Sequence, residues 1–187
     1  MVDSSLNRNG NCIGGTVVSA AHQNLVRSTF SIAEDRLCIL HAGVNNELFK
    51  PNNFESFGNP IKMVYHGKMD RHRGILKLVL LLDALENNGI EAELSLIGSG
   101  DLDTHLSELS KSKPNLNFKK PIPHYEIGNI LQENQIGLLP MPDLPVWSIS
   151  SPLKRSEYMS SGLLVLGIKH SGHHLPTMNN NLDSYKL

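Results

Sequence analysis

The chain has 187 residues, about one domain's worth on length alone, with 17 Lys and Arg against 18 Asp and Glu. A net charge of −1 leaves no basic excess to meet nucleic acid or an anionic membrane surface, so neither is expected as a direct partner. Apolar residues make up 40%, enough for an ordinary core, yet the longest aliphatic run, Leu78–Leu82, is far too short to span a bilayer.

Residues 1–12 are polar and rich in Asn and Ser, and 178–187 have the same character, so both ends read as flexible tails. Residues 1–20 show no basic stretch leading into an apolar one, hence no secretory signal. Cys12 and Cys38 match neither a zinc spacing nor CxxC and read as reduced, part-buried thiols of a cytoplasmic protein. Between the tails, short apolar runs bounded by Gly, Pro or Asn predict strands at 15–19, 36–41, 62–66, 92–97, 116–118, 136–139 and 163–168. Helices are predicted at 74–87, where Ile75, Leu78, Val79, Leu82 and Leu85 share a face, and at 101–112, 125–133 and 152–161. This alternation predicts βαβ units and an α/β fold: a Rossmann-like parallel sheet flanked by helices.

In such sheets ligands bind at the carboxyl ends of the strands, and three strand-to-helix loops carry unusual residues. The first, His66–Gly74, places Lys68, Arg71, His72 and Arg73 between two glycines. That suits a diphosphate clamp, with a solvated turn as the plain alternative. The second is Gly98-Ser99-Gly100-Asp101, whose glycines admit close backbone approach and whose Asp101 also fits an ordinary N-cap. The third runs from Ser148 to Met159. Ser151 reads there as N-cap and Pro152 as the first helical residue, Lys154 as an anion ligand, and Glu157 as a carboxylate for sugar hydroxyls or a residue facing solvent. His170-Ser171-Gly172-His173-His174 lacks both the i, i+4 pairing and a nearby acidic or Cys partner, so it makes a poor metal site. Trp147 is placed to border a pocket but decides nothing alone.

Taken together, these segments resemble the C-terminal, nucleotide-sugar-binding domain of group 1 glycosyltransferases, which have the GT-B fold. His41–Pro51 (HAGVNNELFKP) is similar to that family's NGVD…F.P segment. Val64–Lys68 followed by Arg73-Gly74 is similar to its GR…KG segment, and Ser95–Gly100 (SLIGSG) to lvGsG. Ser151–Gly162 (SPLKRSEYMSSG) is similar to SPLK..EYMA.G. The four segments follow in the family's order and spacing.

The resemblance implies binding of a nucleotide diphosphate sugar as donor substrate, with no metal or other cofactor. It implies that Gly67, Lys68, Arg73, Ser151 and Lys154 hold the diphosphate. Gly98, Ser99, Gly100, Ile122, His124 and Glu157 would hold the nucleoside, Glu157 through its ribose hydroxyls and His124 beside the base. Three departures stand out. Ile149 occupies the position of the family's first motif Glu, and Lys68 and Arg73 exchange the usual Arg and Lys. Residues 13–51 correspond only to the end of a first domain plus linker, and 52–177 to the nucleotide-sugar-binding domain. No catalytic residue is therefore expected in this chain, and a separate acceptor-domain polypeptide is an expected partner. A cytoplasmic site, peripheral to a membrane through that partner, and self-association through apolar surface are the accompanying expectations. Two functions stay open: a donor domain inactive alone, or a GT-B-like module used for protein interaction. A nucleotide-sugar epimerase is more remote.

Overall fold

The structure is a computed structural model that describes residues 14–52 and 58–174. The expected tails and residues 53–57 lie outside that set, as does Cys12. In chain order the strands are β1 (Gly15–Val17), β2 (Leu37–Ile39), β3 (Ile61–Lys68), β4 (Ala92–Ser99), β5 (Leu116–Lys119), β6 (Ile136–Leu139) and β7 (Leu164–Gly167). The helices are α1 (Ala20–Phe30), α2 (Ile75–Asn87), α3 (Asp103–Ser112), α4 (His124–Leu131), α5 (Pro145–Ser148) and α6 (Leu153–Ser160). The described chain forms two compact units: 14–41 with 144–151 and 169–174, and 42–52 and 58–143 with 152–168.

The larger unit holds a five-stranded, wholly parallel sheet in the order β5-β4-β3-β6-β7. Counted from β3, this is the 3-2-1-4-5 order of a doubly wound sheet, which reverses between β3 and β6. The Rossmann-like reading therefore holds. Parallel strands need crossovers, and α2, α3 and α6 supply them, leaning on β4, on β5 and on β6 with β7. The stripe anticipated in α2 is buried at Ile75, Leu78, Val79 and Leu82. Each such side chain contributes about 1.5–3 kcal/mol by leaving water.

β3 and β4 run two residues beyond the apolar runs that predicted them, because their backbones stay paired in register to Gly67↔Gly98 and Lys68↔Ser99. Backbone hydrogen bonding, not side-chain hydrophobicity, carries the strands that far. The segment before β3 is also tied to this unit. Phe49 is buried, Ser160 Oγ donates to the Phe49 carbonyl (2.8 Å), and the Leu48 carbonyl fills the space a Cβ would take at Gly128.

In the smaller unit β1 and β2 pair in parallel around α1. Ser19 caps α1, its Oγ accepting from the His22 amide at 3.0 Å and donating to the Ile149 carbonyl at 2.7 Å. Ser171 Oγ donates to the Ser148 carbonyl at 2.6 Å. Neither α1 nor α5 was anticipated. α1 buries no residue, so no apolar stripe marks it, and α5 is a single turn. Two local expectations are corrected. Cys38 is exposed, because the alternation of β2 turns Leu37 inward instead. α6 begins one residue late: Pro152, in extended conformation, is its N-cap, so the cap is not Ser151.

Gly137 in β6 faces the fully buried ring of Tyr158, where a Cβ would overlap ring carbons. Gly137→Ala is expected to lower stability by about 1–3 kcal/mol through overpacking. Gly43→Ala, which meets nothing within 4 Å, is expected to stay within about 0.5 kcal/mol of the parent. Urea denaturation of the three proteins checks both.

Candidate functional site

At the carboxyl edge of the sheet Gly67 (φ +131°) and Gly98 (φ +150°) face each other one residue before the ends of β3 and β4. At Gly98 the Gly67 carbonyl stands where a Cβ would be, and at Gly67 the end of the Lys154 side chain does. Both backbone angles favour glycine, and at Gly98 the backbone opposite leaves no room for a Cβ. The ends of the two strands and the start of α4 enclose a cavity of about 320 Å³. It is lined by His66, Gly67, Lys68, Ile97, Gly98 and Ser99 on the strand side and by Pro121, Ile122, His124 and Ile127 on the other.

Glu157 of α6 lies behind two of these lining residues. Its Oε1 is 2.7 Å from His124 Nε2 and its Oε2 is 3.0 Å from His66 Nε2. The Glu157 side chain is 5% exposed, His66 10% and His124 63%. Burial works to raise the Glu157 pKa, but hydrogen bonding and charge from His66 and His124 outweigh it and hold the carboxyl below its ordinary 4.5. His66 is pushed below 6.5, mainly by burial, with Glu157 opposing. The ring of Tyr158 meets the His66 ring edge-on at 5.4 Å and keeps it in place.

The cations converge from two elements. Lys154 Nζ sits 5.5 Å over the Tyr65 ring and against Gly67. Its pKa is lowered by burial and then by the charge of Arg73, with Glu157 opposing. Tyr65 is pushed up to about 12 by burial, with Arg73 opposing. Arg73 Nε is 3.3 Å from Asp70 Oδ2. The loop carrying Arg73 is pinned at Gly74, where the Pro140 carbonyl beyond β6 takes the place of a Cβ, so it crosses the point where the strand order reverses. A part-buried lysine with a second cation acting on it is relieved by an anion, which is what this corner offers chemically.

Of the residues singled out from sequence, Gly67, Lys68, Gly98, Ser99, Ile122 and His124 line one cavity. Glu157 backs it through its histidines, Lys154 lies at the Gly67 end, and the charge of Arg73 acts on Lys154. Gly100 instead packs against Met69 and Asp70, whose atoms fill its Cβ position, and Asp101 accepts from the Arg71 amide rather than capping α3. Ser151 belongs to the smaller unit, as does Ile149, the C-cap of α5. His66 was not singled out. Its one signal is a titratable residue inside the buried run Val64-Tyr65-His66, a pattern shared with any satisfied core histidine. Among the described residues, no cluster of three or more His, Cys, Asp and Glu could hold a metal ion, and no helix is long and apolar enough to cross a membrane.

No family profile and no curated protein matches the sequence. Solved structures do match. S. aureus TarM, in a mutant form complexed with fondaparinux, alpha-GlcNAc-glycerol and UDP, superposes with a TM-score of 0.67 at 11% identity, over 92% of this chain and 33% of its own. The pneumococcal O-GlcNAc transferase GtfA, in complex with UDP and GlcNAc, gives 0.62 at 16%, over 89% and 32%. The C-terminal domain of a group 1 family glycosyl transferase, LpcC of Francisella tularensis, gives 0.53 at 16%, over 70% and 72%. The fold is thus that of a GT-B glycosyltransferase C-terminal domain, and the chain spans about a third of the length of the first two neighbours.

Because burial lowers the His66 pKa, the unfolded chain takes up that proton first, and stability falls as pH drops below about 6.5. The depressed Glu157 pKa contributes stability present above 4.5 and lost as pH falls through its folded value. Urea midpoints are expected to fall between about pH 7 and about pH 5.5, and His66→Gln to flatten that part of the profile.

Proposed function

We propose that the larger unit is the donor half of a glycosyltransferase and binds a nucleoside diphosphate sugar at the carboxyl edge of β3 and β4. The observation that carries this reading is Lys154 lodged at Gly67, with the charge of Arg73 acting on it, beside a cavity lined by Ile122 and His124 and backed by Glu157. The UDP carried by TarM and GtfA in their solved structures supports the same ligand class here.

Transfer breaks the bond between the anomeric carbon of the sugar and the diphosphate oxygen, and charge builds on that leaving oxygen. Lys154 and Arg73, with Lys68 at the cavity wall, would take up the charge in a pre-arranged, part-buried setting, the role a metal plays elsewhere. Glu157 would accept from the ribose hydroxyls, and Ile122 and His124 would flank the base. The acceptor and any catalytic base belong to the other half of a two-domain enzyme, in the cytoplasm where the donor is found. This chain alone is expected to bind without turning over.

Calorimetric titration with UDP, GDP and ADP tests the reading. At least one nucleotide is expected to bind, and Arg73→Ala or Lys154→Ala to weaken it about 10- to 100-fold, the worth of a hydrogen bond to a charged group. If all three give no heat, the reading fails and a module without a donor takes its place.

A further inference from the structure

Glu157 Oε1 shares a hydrogen bond with His124 at 2.7 Å, and Oε2 lies at ion-pair distance, 3.0 Å, from His66 Nε2. An ionised carboxylate only accepts, so the Nε2 of His124 carries the proton it shares with Oε1. Oε2 is fully enclosed. A carboxylate oxygen can accept more than one hydrogen bond, but with the side chain only 5% exposed sugar hydroxyls reach Glu157 only where an imidazole gives way. The two are unequal. His66 is part of β3, buried and braced by Tyr158. His124 is the first residue of α4, directly after Pro121-Ile122-Pro123, and its side chain is 63% exposed. Its ring meets Phe49 at 5.3 Å.

We propose that the two histidines divide the work: His66 is a fixed positioning residue for Glu157, and His124 is an exchangeable cover that competes with the ligand's hydroxyls for the same carboxylate oxygen. The proposal rests on the donor-site reading and adds a regulation to it. A protonated imidazole binds a carboxylate more strongly than a neutral one, so acid holds the cover on and weakens the ligand. The other groups facing the carboxylate are Lys154 and Tyr158, from its own helix, and His66 from β3. Burial keeps the proton off His66 and works to keep it on Tyr158.

The test is UDP binding to the full chain at about pH 8 and about pH 5.5, for the parent, His124→Ala and His124→Gln. Glutamine keeps a donor for Glu157 but cannot take up a proton. Protonation of the UDP phosphate weakens binding equally in all three proteins and cancels in the comparison. The parent is expected to lose about five- to tenfold more affinity on acidification than either variant, and His124→Ala to bind more tightly than the parent at the lower pH. Equal losses in all three, or weaker binding by His124→Ala at both pH values, overturn the cover while leaving the donor site standing. No UDP binding by any of the three at either pH, with GDP and ADP also silent, removes the donor site and the cover with it.

Discussion

The site depends on one backbone constraint: β3 and β4 stay paired to their last residues, with two facing glycines one residue before the ends. With no Cβ at Gly98 the Gly67 carbonyl can lie against it, and with none at Gly67 the end of Lys154 can. A side chain at either position would push the strands apart or push the lysine out. That close approach brings α6 to the end of β3, and with α6 come Lys154 on one side of the strand terminus and Glu157 beside His66. The lysine at the cavity's edge and the carboxylate beside His66 thus come from one helix.

Holding a lysine and a glutamate part-buried costs free energy, and neither forms a simple ion pair that offsets it. Lys154 lies over an aromatic ring with a second cation nearby, and its charged form is disfavoured. Glu157 keeps its charge through two neutral or weakly basic partners rather than an arginine or lysine. A fold under selection for stability alone would place apolar side chains here, as it does at Met63, Leu94 and Leu138 on the same sheet. Perturbed groups of opposite charge beside one cavity, at the carboxyl ends of the strands of a doubly wound sheet, are where such folds bind ligands.

Much of this was readable in the chain. All seven strands, α2, α3, α4 and α6 follow from apolar spacing and from Gly, Pro and Asn punctuation, because burial on the sheet demands that spacing. The polar loops after β3 and β4 and the run from Ser151 to Glu157 stood out for the same reason: they break the apolar pattern at strand ends. α1 escaped because it buries nothing, and Cys38 was misplaced because a three-residue strand offers too little alternation to fix its inward face.

By itself, then, the sequence determined the order of elements, the parallel sheet and which loops carry charge, since these rest on local periodicity and on residue chemistry at element ends. Only the tertiary structure decided that His66 and His124 close on Glu157 from two elements, that Gly100 serves packing against Met69 and that Ser151 sides with the other unit. The two contacts of Glu157 span 33 and 91 positions, and that of Gly100 with Met69 spans 31. They are set by how far two strands remain in register and how closely a helix can approach them, which no local spacing encodes.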